Sequence, residues 1–158
     1  MSNKRPPRSS QPDTTGHRAM PEVLHVRVAF ADTDAMGVVW HGNYLRWFEM
    51  ARTELMRPTD LPYPALVGRG IHLPVIEALV RYRRPARYDD LLIVRIGRIH
   101  AGGVRLRIDY RIECDTALIV DGHTEHAFTD AAGRVIRPPR DVREIFTRLS
   151  AAHGGTYA

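Results

Sequence analysis

The chain has 158 residues, a length typical of one domain, and its 44% hydrophobic and 26% charged residues lie near the averages of globular proteins, which excludes disorder throughout. A single cysteine, Cys114, excludes an intrachain disulfide and a zinc site built on several cysteines. We find no apolar run long enough for a membrane span or a secretory signal, so we expect a cytoplasmic protein.

The positive charge is concentrated at the start of the chain. Residues 1–20 hold four basic residues against one acidic residue, so more than half of the net charge of +5 lies there. This segment is rich in Pro, Ser and Thr and poor in aliphatic residues, which predicts a flexible basic tail. Residues 151–158 are predicted to be a second flexible end, and 21–150 a single domain. Because the domain itself carries little excess charge, we do not expect a nucleic acid as partner.

The first predicted elements are a strand and a long helix. From Leu24 to Phe30 apolar residues alternate with others, which is typical of a half-buried strand. From Asn43 apolar residues recur at helical spacing, with Asn43 as the N-cap and Pro58 as a stop signal. The sequence therefore predicts a helix over 43–57.

The second half of the chain is strand-like. From Val104 to Ile112 apolar and polar residues alternate without an error, which predicts a strand. Further strands are predicted at 73–83, 91–99 and 117–129, and a short helix at 141–149. Residues 60–70 are rich in turn-forming residues and are predicted to be irregular. One long helix with about five mostly antiparallel strands indicates an α+β domain in which the sheet covers the helix.

Residues 30–44 carry two carboxylates, a glycine and a histidine between the first strand and the helix. The spacing of Asp32, Asp34 and Gly37 is that of a calcium loop, but Met and Asn occupy two other ligand positions, so this interpretation is disfavoured. A second interpretation makes both acids turn residues that bond the nearby backbone. A third places Asp34 beside the helix N-terminus, where unpaired N–H groups stabilise the negative charge that develops in acyl transfer.

The motif in this loop resembles that of a known family. Its residues are Asp32-Thr33-Asp34, Gly37-Val38-Val39, His41, Tyr44 and Glu49-Met50-Ala51-Arg52-Thr53-Glu54, followed later by Arg84-Pro85-Ala86-Arg87-Tyr88-Asp89-Asp90. They resemble the hotdog-fold acyl-CoA thioesterases, in the 4-hydroxybenzoyl-CoA thioesterase class and its YbgC-like branch. The similarity spans about residues 22–148. It implies a hotdog fold, in which an antiparallel sheet of about five strands wraps a long central helix.

The resemblance also implies roles for individual residues. It makes Asp34 the catalytic carboxylate, either as a nucleophile or as a general base on water. The backbone N–H of His41, at the mouth of the helix, would polarise the thioester carbonyl, while the His41 side chain either touches substrate or caps the backbone. Asp32 is given a structural role. The residues implied in substrate binding are Gly37, Val38, Val39, Tyr44 and Glu49.

Three acidic or basic side chains outside the loop leave alternatives open. Glu49 lies on the polar side of the helix, and in some hotdog enzymes a helix Glu does the chemistry. With Asp34 present, an ion pair of Glu49 with Arg46 or Arg52 is the favoured interpretation. His72 and Glu77, near the start of the second strand, either line an acyl pocket or lie on the surface, and surface positions are the more frequent outcome for such residues.

Coenzyme A phosphates need basic partners, and the chain departs from the family where these are often found. Residues 101–103 read Ala-Gly-Gly, whereas relatives often place Arg, Lys or Ser there. Phosphate contacts must then come from other arginines. The candidates are Arg84, Arg98, Arg105 and Arg137, and each of them also fits a solvated surface position.

The expected function is hydrolysis of an acyl-CoA to a free carboxylic acid and coenzyme A. The alternative is a non-catalytic module that binds acyl-CoA or an acyl carrier protein. We expect no metal and no cofactor, because coenzyme A is part of the substrate, and His123 and His126 lie on opposite faces of one predicted strand. The resemblance implies a homodimer, assembled further into a homotetramer, with active sites at the dimer interface.

Overall fold

The structure, a computed structural model, describes residues 22–154. Its elements are β1 (Glu22–Arg27), a 3₁₀ turn (Phe30–Asp32), α1 (Asn43–Met56), α2 (Tyr63–Gly68), β2 (Val75–Tyr82), β3 (Leu91–Gly102), β4 (Arg105–Cys114), β5 (Ala117–Ala127) and α3 (Arg140–Ala152). The predicted tail at 1–20 and the last four residues of the chain lie outside the described residues. Within 22–154, no helix is both long enough and apolar enough to cross a membrane.

The strands form one antiparallel sheet in the order β1-β3-β4-β5-β2. β1 and β2 are successive strands of the chain, yet they occupy opposite edges of the sheet, and α1 connects them across one face. β3, β4 and β5 form a central meander of hairpins. Within the described part of the chain, β2 pairs with β5 alone. This is the α+β architecture predicted from the sequence, with the sheet covering the long helix.

One face of the sheet is apolar and the other is charged, as the alternation in β4 predicts. Leu106, Ile108, Tyr110 and Ile112 are buried, and the residues between them carry charged side chains on the opposite face. Burying each large apolar side chain contributes about 1.5–3 kcal/mol. The apolar face of the sheet therefore requires a partner, and α1 supplies it.

The helix α1 packs on this face because its apolar residues fall on one side. Trp47, Phe48 and Ala51 are almost completely buried, and the ring of Phe48 stacks on Tyr110 of β4 with centroids 4.3 Å apart. This contact holds the helix against the sheet. Its N-terminus then lies beside Tyr82, the last residue of β2.

Three features of the first half differ from the sequence predictions. Asn43 is the first residue of α1, and the N-cap is Gly42, because the Asn43 amide donates to the Asp32 carbonyl at 2.9 Å and does not cap the helix. The helix ends at Met56, one residue earlier than predicted. The stretch predicted to be irregular contains α2, where a proline in the first turn favours helix initiation.

The end of the domain also differs from the prediction. α3 runs to Ala152, beyond the predicted boundary at residue 150, so residues 151 and 152 are helical. The helix continues because its buried side extends to Ser150, which is 1% exposed. Val142 and Phe146 on the same side belong to the core, which fixes the helix on the domain.

Candidate active site

The loop between the 3₁₀ turn and α1 folds back on itself as a tight hairpin. Thr33 bridges to Val39. The Asp34 N–H donates to the Val38 carbonyl, and the Gly37 N–H donates to the Asp34 carbonyl, both at 2.9 Å. Gly37 has a φ of +71°, a left-handed conformation that glycine adopts without steric cost. This glycine therefore permits the turn that presents Asp34.

Asp34 is half-buried and keeps one carboxylate oxygen available. Its Oδ1 accepts a hydrogen bond from the Met36 N–H at 2.8 Å, which orients the side chain over its own turn. Its Oδ2 makes no hydrogen bond with any described residue. Asp34 can therefore be both a turn residue and a reactive carboxylate, because one oxygen anchors the side chain while the other makes no hydrogen bond with a described residue.

Asp32, two residues earlier, has both oxygens occupied. Its Oδ1 accepts from Arg46 Nη2 at 2.5 Å and its Oδ2 from the Ala29 N–H at 3.0 Å. Its backbone carbonyl accepts from the Trp40 N–H and from the side chain of Asn43, both at 2.9 Å. The buried Asp32 thus closes the loop onto the first turn of α1.

The start of α1 presents two backbone donors. The N–H groups of His41 and Gly42 make no hydrogen bond with any described residue. They lie at the positive end of the helix dipole, where developing negative charge is stabilised. The hydroxyl of Tyr82 donates to the His41 carbonyl at 3.0 Å and so fixes the peptide that joins the two residues. The His41 side chain is exposed, and its ring centroid lies 5.0 Å from that of Trp40.

The segment between β2 and β3 holds the loop from the other side. The Val39 N–H donates to the Ala86 carbonyl at 2.8 Å, and Arg87 Nη1 donates to the Gly37 carbonyl at 3.4 Å. Arg87 is exposed and makes no ion pair with a described residue. Sequence reasoning recognised this segment as a family motif but did not select Arg87, whose proximity to the loop depends on the tertiary fold.

The residues predicted to bind substrate do not all reach an accessible surface. Gly37 is exposed and Val38 half-buried in the loop. Val39 and Tyr44 are only 4% and 3% exposed, so their side chains belong to the core of this chain, and their role as substrate contacts stays a prediction. Glu49 is exposed and lines a cavity beneath α1.

This cavity has a volume of about 570 Å³ and lies between α1 and strands β2, β4 and β5. It begins at the first turn of α1. Its lining residues are Leu45, Arg46, Glu49, Arg52, Leu73, Val75, Ala78, Tyr110, Thr124 and His126. Glu49 makes no ion pair with a described residue. The predicted pair with Arg46 or Arg52 is therefore wrong, because Arg46 binds Asp32 and Arg52 binds His126.

A chain of hydrogen bonds forms the closed end of the cavity. Arg52 Nη1 lies 2.9 Å from His126 Nδ1, and the same ring nitrogen lies 3.1 Å from the Leu73 carbonyl. His126 Nε2 lies 2.8 Å from Thr124 Oγ1, and this hydroxyl lies 3.3 Å from that of Tyr110. Burial, helped by the positive charge of Arg52, lowers the pKa of His126 to about 4, so the ring stays neutral at pH 7.

The four arginines predicted to bind coenzyme A phosphates do not gather in one place. Arg84 follows β2 at the end of the sheet that holds the loop, and Arg98 lies midway along β3. Arg105 begins β4 at the other end, where it pairs with Glu125, and Arg137 lies near that end as well. A strand rises about 3.3 Å per residue, so the two ends are roughly 25 Å apart. Arg105 and Arg137 therefore cannot bind a phosphate beside the loop of their own chain.

The two histidines of β5 face opposite sides of the sheet. His126 faces the cavity, whereas His123 lies on the charged face, with Nε2 at 2.8 Å from Glu77 Oε1 and Nδ1 at 3.1 Å from Arg107 Nη2. Neither Glu77 nor His72 lines the cavity beneath α1. Among residues 22–154, no three His, Cys, Asp or Glu side chains cluster so as to hold a metal ion.

The sheet order, the crossing helix and a carboxylate loop at the start of that helix define an α+β protein of the hotdog class. A family model described as the Thioesterase-like superfamily matches residues 28–146, which is more than half of the chain. The chain belongs to this superfamily and so falls within the thioester hydrolases. The resemblance found in the sequence is confirmed.

Individual relatives agree with this assignment. The acyl-CoA thioesterase YbgC of Haemophilus influenzae is 31% identical over 126 residues, which cover 78% of this chain and 93% of the relative. The crystal structure of hypothetical protein TT1821 from Thermus thermophilus is similar, with a TM-score of 0.75 at 32% identity, and the match covers 84% of this chain and 99% of that protein. The crystal structure of a DHNA-CoA thioesterase from Staphylococcus aureus has a TM-score of 0.76 at 27% identity, and the match covers 83% of this chain and 91% of that protein.

Proposed function

We propose that the protein hydrolyses an acyl-CoA thioester to a free carboxylic acid and coenzyme A, with Asp34 as the catalytic carboxylate. The observation that carries this proposal is the pairing, within one closed loop, of an unoccupied carboxylate oxygen on Asp34 with unoccupied N–H donors at His41 and Gly42. A carboxylate and an oxyanion site are the two groups that acyl transfer to water requires.

The thioester carbonyl oxygen accepts hydrogen bonds from the backbone N–H of His41, aided by that of Gly42. Asp34 then acts in one of two ways. As a nucleophile it attacks the carbonyl carbon and releases the thiolate of coenzyme A, and water cleaves the resulting anhydride. As a general base it removes a proton from water, which attacks the carbonyl directly. In both cases the C–S bond breaks, a C–O bond forms, and water is the one co-reactant, so no cofactor is needed.

The test is release of thiol from a panel of acyl-CoAs, measured with a thiol reagent. We expect Asp34→Asn to lower kcat about 10²- to 10⁴-fold, the usual contribution of a general base. The matched control is Asp60→Asn, since Asp60 is an exposed aspartate paired with Arg148 on the surface. Hydroxylamine trapping of an anhydride under rapid quench identifies the nucleophilic route. Thiol release that Asp34→Asn leaves unchanged would sink the catalytic assignment, and no thiol release from any acyl-CoA would favour the alternative, a non-catalytic binding module for acyl-CoA or acyl carrier protein.

Assembly with further copies is part of this proposal. β2 is an edge strand whose Val75 and Ile76 are 53% and 49% exposed, and the cavity opens beside it. Such an edge favours pairing with another strand, so we propose a homodimer across β2, assembled further into a homotetramer. Light scattering after size exclusion tests this, and we expect Ile76→Lys to yield monomers. With one cysteine and a carboxylate mechanism, the activity suits the reducing cytoplasm.

A further inference from the structure

The closed end of the cavity holds a charged side chain that the protein leaves partly without partners. Arg52 is 6% exposed, and among the described residues no carboxylate forms an ion pair with it. A buried charge is costly unless it is paired. The ring of Tyr63, 5.2 Å from the guanidinium carbon, provides a cation–π contact but no negative charge.

The unused donors of Arg52 lie along one edge of its guanidinium group. Nη1 lies 2.9 Å from His126 Nδ1 and donates to the Leu73 carbonyl at 3.4 Å. Nε is buried without an acceptor, and Nη2 makes no hydrogen bond with any described residue. The Nε–Nη2 edge is one with which arginine binds carboxylates through two parallel hydrogen bonds.

The neighbours of Arg52 at this end do not supply a compensating charge. His126 is held as the neutral tautomer, and burial raises the pKa of Tyr110 to about 12, so its phenol also stays neutral. Glu49 is the one acid among the residues that line the cavity, and it is exposed to solvent and makes no ion pair with a described residue. The charge at the closed end is therefore positive and poorly screened, whereas the charge of Glu49 is screened by water.

We propose that this cavity receives acyl groups whose far end carries a carboxylate, and that Arg52 binds this carboxylate. The inference rests on the proposed function, since it names the class of acyl group that the same site hydrolyses. The cavity runs from Leu45, in the first turn of α1, to Arg52, about 10 Å further along the helix axis. An acyl chain held by its carbonyl at the helix start can follow this path, with its methylene groups against Leu73 and Val75.

The reaction leaves the far carboxylate unchanged. Water cleaves the thioester C–S bond, a new C–O bond forms at the thioester carbon, and the products are a dicarboxylic acid and coenzyme A. Hydrogen bonds to a charged group contribute enough free energy to change a rate or affinity by about tenfold to a hundredfold. We therefore expect a preference of this size for an ω-carboxyacyl-CoA over the unsubstituted acyl-CoA of equal length.

The first experiment uses the unaltered full-length protein and paired substrates. Succinyl-, adipoyl-, suberoyl- and dodecanedioyl-CoA are compared with butyryl-, hexanoyl-, octanoyl- and lauroyl-CoA, and kcat/KM is measured for each. We expect at least one carboxyacyl-CoA to exceed its unsubstituted partner by about tenfold or more. Equal or lower values for the carboxyacyl-CoA in every pair would overturn the inference.

The second experiment locates the preference. Arg52→Met is expected to lower the ratio of kcat/KM within the best pair by about tenfold to a hundredfold, and Arg52→Lys, which keeps the charge, to retain part of it. Arg148→Met, at an exposed arginine on α3, is the matched control and should keep the full ratio. A ratio unchanged in both Arg52 variants would show that another group reads the carboxylate. If Arg52→Met does not fold, Arg52→Lys and the paired substrates decide the question.

Binding measurements separate this inference from the proposed function. Calorimetric titration of Asp34→Asn with adipoyl-CoA and hexanoyl-CoA reports the preference even if the protein proves not to be a catalyst. Tighter binding of adipoyl-CoA supports the inference, and equal binding contradicts it. Hydrolysis of unsubstituted acyl-CoAs without any preference would overturn the inference and leave the proposed function standing.

Discussion

Asp32 and Asp34 are two residues apart in one loop, yet the structure uses them in opposite ways. Every side-chain oxygen of Asp32 has a donor, and its carbonyl accepts two further hydrogen bonds. Asp34 commits one oxygen to the Met36 N–H and leaves the other available. A carboxylate with complete hydrogen bonding thus stabilises the loop, whereas the open oxygen of Asp34 is the one that the proposed reaction requires.

The two faces of the sheet show the same contrast on a larger scale. On the outer face Arg107 pairs with Asp109 and Glu125, and Arg95 pairs with Glu113. On the inner face Arg52 has no acidic partner among the described residues. These outer-face arginines have acidic partners, whereas the buried arginine of the cavity has none among the described residues. Substitutions can test this contrast between satisfied and open polar groups.

The largest expected effect on stability concerns His126. Its pKa is about 4 in the folded protein against an ordinary 6.5, so the unfolded chain takes up a proton first as the pH falls. The free energy of unfolding should therefore decrease between about pH 6.5 and pH 4, by an amount on the order of 3 kcal/mol. Urea titrations across this range measure it.

A variant assigns this pH dependence to the ring. His126→Gln should flatten the curve between pH 6.5 and about pH 4.5, while His100→Gln on β3 should leave it. Carboxylates such as Asp121, whose pKa the bond from Arg83 lowers from its ordinary 3.8, lose their contribution only at more acidic pH. If the curve kept its slope in His126→Gln, the loss of stability between pH 6.5 and pH 4 could not come from protonation of the buried His126 ring.

Removing the charge of Asp32 should have the next largest effect. In Asp32→Asn the bonds to Arg46 and to the Ala29 N–H are weakened or lost, which we expect to lower the free energy of unfolding by about 2 kcal/mol. Denaturant unfolding measures this. Asp34→Asn should change stability by less than about 0.5 kcal/mol, because its open oxygen stabilises nothing in the fold. Equal losses in both variants would remove the contrast between the two acids.

A smaller effect is expected at Tyr82. Tyr82→Phe removes the hydrogen bond to the His41 carbonyl, so the peptide that carries the Gly42 N–H, one of the two proposed oxyanion donors, is held less firmly. We expect kcat to fall about tenfold with KM and the melting temperature unchanged. The control is Tyr88→Phe, at an exposed tyrosine whose ring packs on Phe30. A rise in KM at constant kcat would instead make Tyr82 a substrate contact.

The smallest effect concerns the arginines near the loop. Arg87 lies against Gly37 and is exposed, so it is positioned to meet coenzyme A phosphates. Arg87→Met should raise KM for an acyl-CoA about threefold, the scale of an exposed ionic contact. If one chain binds the whole coenzyme A molecule, Arg105→Met, at the far end of the sheet, should leave KM unchanged. A rise in KM for Arg105→Met would show that the phosphates are bound at the far end of the sheet, which would place them in the active site of a partner subunit.

The helix and the sheet could be predicted because their signals are local. In α1 and β4 the spacing of apolar residues predicts which side of the element is buried. The Asp34 loop could be recognised because its motif has fixed spacing. The short α2 could not be predicted, because its six residues lie among turn-forming residues and are too few to show a helical pattern. Its first turn contains a proline, which is also a turn-forming residue.

The closed end of the cavity could not be predicted, because its members are distant in the sequence. Arg52 and His126 are 74 positions apart and meet only after the sheet has wrapped α1. From the sequence alone, Arg52 is a candidate ion-pair partner of Glu49, one turn earlier on the same helix. The positions of the four candidate phosphate arginines could not be predicted for a similar reason, since the end of the sheet that each one occupies follows from strand order and not from spacing. Their contact with phosphates stays a prediction.

The order of strands also has a consequence for how the protein assembles in time. β3, β4 and β5 are joined by short turns, so they can form as hairpins from neighbouring segments. β1 and β2 must travel to opposite edges and enclose α1, which is a slower step because it closes long loops. We expect amide hydrogen exchange to protect the central meander most strongly. The segment that carries Asp34 connects the edge strand β1 to α1, and we expect it to acquire protection last during refolding. The fold would then form before the candidate active site is complete.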